Sequence, residues 1–338
     1  MTNYKNAQDW LNYQYPNKSQ VETIEFDSEL EFKQPSELII DDYPNLKVIQ
    51  KNYIRTGSSS LNLTKITVSN CPQLETVHID CFKNIQALIF NNLPSLKKID
   101  CAHNSLTEIK FTNAGEKLEY LGLDNNNFNQ DLSFLSHLVN LENLDLRKNN
   151  FTGSLEHLKG MNKLKKLVIN DTDLDSGLEY LSDGLEDFYC SAIYRKDAKV
   201  KAVYNFFADE QGKVEEEWDG KIKDLPQKLH DYKEWRSLNF SEEEIKQWKL
   251  DGFMLNDYEV ANRLKEESFQ QNIPIEEIIK KESWRDVHSD FNYQLRKKWE
   301  KEGLNKQETK LKIDSGLKPN CYNLVNNFVI VNNRFHKW

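Results

Sequence analysis

Four aspartates, Asp80, Asp100, Asp124 and Asp145, recur along this 338-residue chain at intervals of 20 to 24 residues. His78 and Arg147 stand beside them, and Tyr120 and Tyr189 fall in the same rhythm. Carboxylates placed this regularly describe a charged face, and tyrosines among them offer rigid contact area at little entropic cost. The chemistry such a set supports is recognition of a basic protein or peptide surface. A charged column also serves solubility alone. What positions these residues decides between the two.

Bond-making chemistry has no comparable foothold. The seven histidines are scattered without an H-E-x-x-H, and G-x-x-x-x-G-K-[ST], G-x-G-x-x-G and G-x-S-x-G are all absent. Asp171-Thr-Asp173-Leu-Asp175-Ser-Gly177 resembles the start of a calcium loop. Such a loop needs glycine at its sixth place and glutamate at its twelfth, where this chain has Ser176 and Ser182. The five cysteines, Cys71, Cys81, Cys101, Cys190 and Cys321, form no C-x-x-C pair, and their odd number suits a reducing compartment. No catalytic, metal or cofactor site is expected.

The elements that must carry the aspartates are repeats. Leu118-Glu-Tyr-Leu121-Gly-Leu123-Asp-Asn-Asn126-Asn-Phe128 returns 23 residues later as Leu141-Glu-Asn-Leu144-Asp-Leu146-Arg-Lys-Asn149-Asn-Phe151. Another 23 residues on stands Leu164-Lys-Lys-Leu167-Val-Ile169-Asn-Asp-Thr172-Asp-Leu174, and Leu96-Lys-Lys-Ile99-Asp-Cys101-Ala-His-Asn104-Ser-Leu106 precedes the three. Weaker copies begin at Val21, Leu46, Leu74 and Leu185, giving eight, with Arg55–Ser60 as an inserted loop. In the first half a second rhythm of 11 residues (Leu63/Ile66/Val68, Leu74/Val77/Ile79, Ile85/Leu88/Phe90) predicts two strands per turn. After residue 118 the return segments, such as Phe134–Leu138, read as helical turns. Asn104, Asn126 and Asn149 are read as structural, since an amide can serve donors and acceptors of adjacent turns.

Residues 21–195 resemble the leucine-rich repeat superfamily, and the short copies are nearer to its internalin-like and irregular intracellular members than to long receptor-type repeats. The resemblance implies an α/β solenoid with a parallel concave sheet, and protein binding through that sheet. Some members carry a cysteine-dependent ubiquitin ligase after the repeats, with a Cys-x-Asp signature. Here Cys190 precedes Ser-Ala and Cys321 precedes Tyr-Asn, so that activity is not implied.

In an L-x-x-L-x-L strand the intervening side chains alternate outward. His78, Asp100, Asp145 and Tyr189 then share one column, Asp80, Asp124 and Arg147 the next, and Tyr120 the one before. Ahead of the repeats, residues 1–20 are expected to form a capping helix in which Trp10 and Leu11 cover the open end of the solenoid.

From about residue 196 the leucine register stops, and six of the seven tryptophans follow. An all-α domain of helical hairpins is expected over 196–338, with a duplication at an offset of 64 (241–264 and 305–328). Ser241 with Glu244 and Asn305 with Glu308 read as capping boxes, Gly252 and Gly316 as helix ends, and Asn256 and Asn320 as caps of the next helix. Each hairpin is expected to carry an inward tyrosine.

Net charge is −9, with 27 acidic against 19 basic residues in 1–195 and 27 against 26 beyond. The acid excess lies in the repeats and excludes nucleic acid as their main ligand. Arg296–Lys301 reads as a solvated helix face, and the sequons at Asn62, Asn150, Asn170 and Asn239 as chance. Met1-Thr-Asn-Tyr-Lys opens no secretory signal, and Phe328–Val331 is too short to span a bilayer, so no membrane contact and a cytoplasmic location are expected. The reading is a non-enzymatic protein-interaction adaptor. The alternative is an enzyme, ligase-like or nucleotide-using, with its site in the helical half.

Overall fold

The computed structural model describes residues 4–27, 30, 32, 34–51, 62–208, 213, 214, 216, 220–331 and 334–337, with side chains as far as residue 324. The loop expected at Arg55–Ser60 lies outside the described residues. The chain divides into two compact units, Met1–Phe207 with Glu215–Pro226, and Ala208–Val214 with Gln227–Trp338.

The first unit is a solenoid of eight parallel strands, each hydrogen-bonded to the next in chain order: Thr23–Phe26, Val48–Lys51, Thr76–His78, Lys98–Asp100, Tyr120–Gly122, Asn143–Asp145, Lys166–Val168 and Asp187–Tyr189. Most are three residues long because each motif copy supplies one inward residue between two outward ones. Those inward residues lie on shared rungs: Ile24, Ile49, Val77, Ile99, Leu121, Leu144, Leu167 and Phe188, none more than 1% exposed. Burying each contributes about 1.5–3 kcal/mol against the entropy of ordering its turn. No single copy closes a core; stacking does.

The return path has two regimes, as the two rhythms predict. Ser36–Asp41, Leu63–Ser69, Ala87–Leu93 and Glu108–Ala114 form a second, four-stranded parallel sheet. Farther on, 3-10 turns take over at Ser133–Leu135, Leu155–Leu158 and Leu178–Tyr180. Phe134 of the first turn stacks with Phe128 and Phe151, the three ring centroids being 5.2–6.0 Å apart.

Inside each central turn the asparagines form a ladder. Asn126 Oδ1 accepts the Leu106 N–H at 2.9 Å, and its Nδ2 donates to the carbonyls of Cys101 and Leu123 at 3.0 Å. Asn104 and Asn149 repeat the pattern on their own turns. The residue before each is left-handed: His103, Asn125 and Lys148 have φ of 54–55°. The ladder ends at Thr172, whose hydroxyl has one proton to give and donates it to the Ile169 carbonyl at 2.7 Å.

Both ends are covered. In the helix Ala7–Gln14, Trp10 stacks on Phe26 at 5.0 Å and Leu11 is 1% exposed. Beyond the last strand, Phe207 lies edge-on to Phe188 at 6.0 Å and the Ile222 N–H donates to the Phe188 carbonyl at 3.1 Å. That bond occupies a strand edge otherwise open to another chain. The expected boundary at 195/196 therefore falls too early. Residues 196–207 and the segment around 222 belong to the solenoid, because the last repeat needs a lid.

In the second unit, helices run Glu242–Leu250, Tyr258–Gln271, Ile275–Glu282, Tyr293–Lys301 and Lys306–Asp314, after a helix Leu225–Ser237 whose greater part belongs here. Both capping boxes form, and Gly252 and Gly316 have φ of 89° and 103°. Asn256 does not cap. Asn256 is exposed, and Asp257 turns back to accept the Met254 N–H at 2.8 Å, closing the start of a 3-10 turn, Leu255–Asp257, that precedes the helix Tyr258–Gln271. Asn320 likewise falls inside a 3-10 run, Pro319–Asn327. Tyr258 and Tyr322 are half-buried rather than fully inward. The helical region is followed by two antiparallel strands, Phe328–Val331 and Arg334–Lys337. Where the first copy continues into the helix Tyr258–Gln271, the second carries the β-prone run Phe328-Val-Ile-Val331, and strand wins there. No helix among the described residues is long and apolar enough to cross a membrane.

Candidate functional site

The outward residues of the long sheet stand where the register requires. His78, Asp100, Gly122, Asp145, Val168 and Tyr189 lie on successive rungs of one column, and Lys98, Tyr120, Asn143 and Lys166 on another. The four aspartates are divided into two braced pairs.

In the first pair, His78 Nε2 lies 3.6 Å from Asp80 Oδ1 and 3.5 Å from Asp100 Oδ2. In the second, Arg147 reaches Asp145 Oδ2 at 2.9 Å and Asp124 Oδ2 at 3.9 Å, with His103 Nε2 3.6 Å from Asp124. Tyr120 lies between the pairs. Lys98 stands over its ring at 4.9 Å, and burial together with Asp100, Asp145 and Asp124 pushes its hydroxyl up to about 12. Gly122 makes room for that ring: a Cβ there would meet the Tyr120 Cε1 and hydroxyl at 3.2 Å and Asp100 Oδ1 at 3.1 Å.

The second pair lines a recess of about 430 Å3 with Tyr189, Lys148, Lys166, Asp171 and Tyr194. A smaller neighbour, about 190 Å3, joins Tyr120, Asn143, Asp145, Arg147 and Lys166. Of the residues expected from the sequence, the structure thus gathers Tyr120, Asp124, Asp145, Arg147 and Tyr189. His78, Asp80 and Asp100 form a separate cluster outside both recesses.

Five lining residues escaped the column argument: His103, Lys148, Asp171, Ile193 and Tyr194. The first three share the left-handed position that ends each strand, with φ of 55°, 54° and 58°. In the sequence that position reads as a turn. The usable signal is its regularity, one place before each motif asparagine and before Thr172.

Burial pushes the Asp145 carboxyl up to about 6 from 3.8, with Arg147 opposing and Asp124 reinforcing. Between those values the folded chain holds a proton that the unfolded chain has released. The stability this group contributes is therefore full below about pH 4 and is lost as pH rises towards 6, opposite to a carboxylate held below its ordinary value, because burial outweighs the Arg147 pair. Hydrogen exchange at the amides of Asn143–Asp145, corrected for intrinsic rate, in wild type and Asp145→Asn at pH 4, 5, 6 and 7 should show the variant gaining on wild type through that window. A difference that ignores pH would mean that Asp145 is ionised at little cost.

Among the described residues no group of three His, Cys, Asp or Glu side chains is placed to hold a metal. Asp173, inside the calcium-like stretch, pairs with Arg195 at 2.7 Å and accepts the Lys199 N–H at 3.1 Å. In the second unit a recess of about 410 Å3 is lined by His288, Asp290, Leu295, Lys318, Pro319 and Asn320. His288 Nδ1 there accepts the Asp290 N–H at 3.1 Å, and the lining holds no hydroxyl or thiol nucleophile.

No family model and no curated protein matches the sequence. Among solved structures the chain is similar to the LRIM1 leucine-rich repeat domain, at 15% identity and TM-score 0.34, over 54% of this chain and 70% of that one. It is also similar to an LRIM1/APL1C complex, at 14% identity and TM-score 0.37, over 96% of this chain and 78% of that one. At such scores the assignment rests on geometry. A parallel sheet with one strand per motif copy, and an asparagine ladder inside its turns, makes the first unit a leucine-rich repeat solenoid.

Proposed function

We propose that the chain is a protein-interaction module that offers the outward face of its long sheet to a protein or peptide with a basic surface. One contrast carries this reading. The side chains of Asp80, Asp100, Asp124 and Asp145 are only 15–20% exposed and braced, whereas rim pairs such as Lys97–Glu75 are 43% and 52% exposed. Carboxylates kept for solubility need no bracing. Carboxylates held in place lose little side-chain entropy when a partner arrives. Over the outward columns from Thr76 to Ser191, five aspartates stand against three cations, Lys98, Arg147 and Lys166.

A peptide array graded in net charge, probed with the whole chain in about 0.05 M and about 0.5 M salt, tests this, because exposed charges are screened over roughly 10 Å at 0.1 M. Basic peptides should be retained at low salt and released at high salt. Asp80→Lys with Asp100→Lys should lower retention about tenfold or more, since each reversal replaces attraction by repulsion. Retention that ignores peptide charge would sink the reading.

A further inference from the structure

Asp171 holds an oxygen with nothing to accept. The residue is 4% exposed, and its Oδ1 takes the backbone N–H groups of Tyr194 and Arg195, both at 2.9 Å. Its Oδ2 is buried without a hydrogen-bond partner, as is the Ser191 hydroxyl. The two residues are neighbours across the sheet edge, since the Asp171 N–H donates to the Ser191 carbonyl at 3.0 Å. A buried acceptor left unmade is costly, and more so when it is charged. Arg195, whose backbone N–H Asp171 accepts, directs its guanidinium to Asn150 at 2.8 Å and to Asp173 at 2.7 Å, and its Nε and Nη2 make no hydrogen bond.

Asp171 lines the recess of about 430 Å3 at the late end of the long sheet. Every cation of that recess is already engaged. Arg147 is held by Asp145 and Asp124. Lys148 stands over the Tyr194 ring at 4.0 Å, and Lys166 over the Tyr189 ring at 5.4 Å. Among the residues lining it, Asp171 Oδ2 is the buried polar side-chain atom left without a partner. Tyr194, 74% exposed at the rim, leaves aromatic surface available there. An entering group must therefore bring hydrogen-bond donors and positive charge, and must tolerate aromatic walls.

We propose that this recess takes the cationic side chain, guanidinium or ammonium, of a peptide laid along the long sheet, with Asp171 as its anchor and Tyr189 and Tyr194 as its walls. The proposal rests on the interaction reading above and narrows it to one subsite. Planar guanidinium and compact ammonium groups both satisfy carboxylates and lie against aromatic rings. Asp80 and Asp100 lie outside the recess and serve only the wider surface.

Three capped tripeptides, Gly-Arg-Gly, Gly-Lys-Gly and the neutral isostere Gly-citrulline-Gly, test it by NMR on the whole chain with labelled tyrosine rings. The arginine and lysine peptides should shift the Tyr189 and Tyr194 signals at concentrations up to about 10 mM, a range suited to ligands with one ionic contact. The citrulline peptide should not. Asp171→Asn keeps an oxygen for the two backbone donors and tolerates the left-handed backbone, so it should fold. It should weaken binding about tenfold or more, as loss of a charged hydrogen bond does. Tyr194→Ala should weaken it as well, while Asp80→Lys with Asp100→Lys should leave it unchanged. The subsite is overturned if no ring signal moves, if citrulline binds as well as arginine, or if Asp171→Asn binds like wild type. Should the charge-graded array still respond to Asp80 and Asp100 in that case, the wider surface stands and only the subsite falls.

Discussion

Asn126→Ala should destabilise the solenoid by about 3 kcal/mol, a large loss for the removal of one amide. The side chain serves four backbone groups: it accepts from Leu106 at 2.9 Å and donates to Cys101 and Leu123 at 3.0 Å and to Asp124 at 3.3 Å. Alanine leaves those buried groups unmade, at about 1–3 kcal/mol each before relaxation recovers part of it. Asn127 is the control: it is exposed, and its alanine variant should stay within about 0.5 kcal/mol of wild type. Because the chain has two units, a single global transition is the wrong readout. Hydrogen exchange at the amides of Lys98–Asp100 and Tyr120–Gly122 reads the affected turns directly. Unchanged protection there would show that the ladder decorates the turns without holding them.

How far the fold was legible follows from which contacts are local. Each strand of the long sheet was visible because the inward residue of every copy repeats in one chain segment, as Leu121, Leu144 and Leu167 do. The change of return path was visible for the same reason, in the loss of the 11-residue rhythm. The lid of the solenoid was not: Phe207 and Ile222 meet Phe188 only in three dimensions, and nothing in their spacing marks them. At the site, strand alternation placed Asp100, Asp145 and Tyr189 correctly on one column. It could not show that His78 and Arg147 brace the aspartates, because charge pairing across rungs depends on rotamers. It also passed over Asp171, whose left-handed backbone turns a loop residue into part of a wall. In the second unit, capping boxes and left-handed glycines are local chemistry and were readable. The helix after Gly252 takes no cap from Asn256 because a 3-10 turn, Leu255–Asp257, intervenes and has its own capping box between Asp257 and Met254.

The duplication in the second unit reaches farther back than the capping boxes, and two tryptophans show it. Trp235 Nε1 donates to the Leu255 carbonyl at 2.7 Å, and Trp299 Nε1 to the Pro319 carbonyl at 2.7 Å, both pairs being offset by 64 residues. Both rings are fully buried. After each, a left-handed residue (Asn239, φ 60°, and Gly303, φ 84°) lets the next N–H bond back to the tryptophan carbonyl, Phe240 at 3.2 Å and Leu304 at 3.3 Å. Each helix is thus closed by a six-to-one turn and pinned by an indole to the carbonyl beyond the following helix. Trp235→Ala and Trp299→Ala should each cost about 4 kcal/mol, combining lost burial with an orphaned carbonyl. The phenylalanine variants separate the two effects. They keep one ring in place and lose the N–H together with part of the indole volume, so each should cost about 2–3 kcal/mol, less than alanine, and the two should agree because their bonds and burial are equivalent. Hydrogen exchange at the amides of Gln227–Ser237 and Tyr293–Lys301 measures all four within their own unit and without relying on the deleted fluorophore. If either phenylalanine variant matches wild type, the indole-to-carbonyl bond holds nothing in that copy, and the equivalence of the two modules reduces to packing alone.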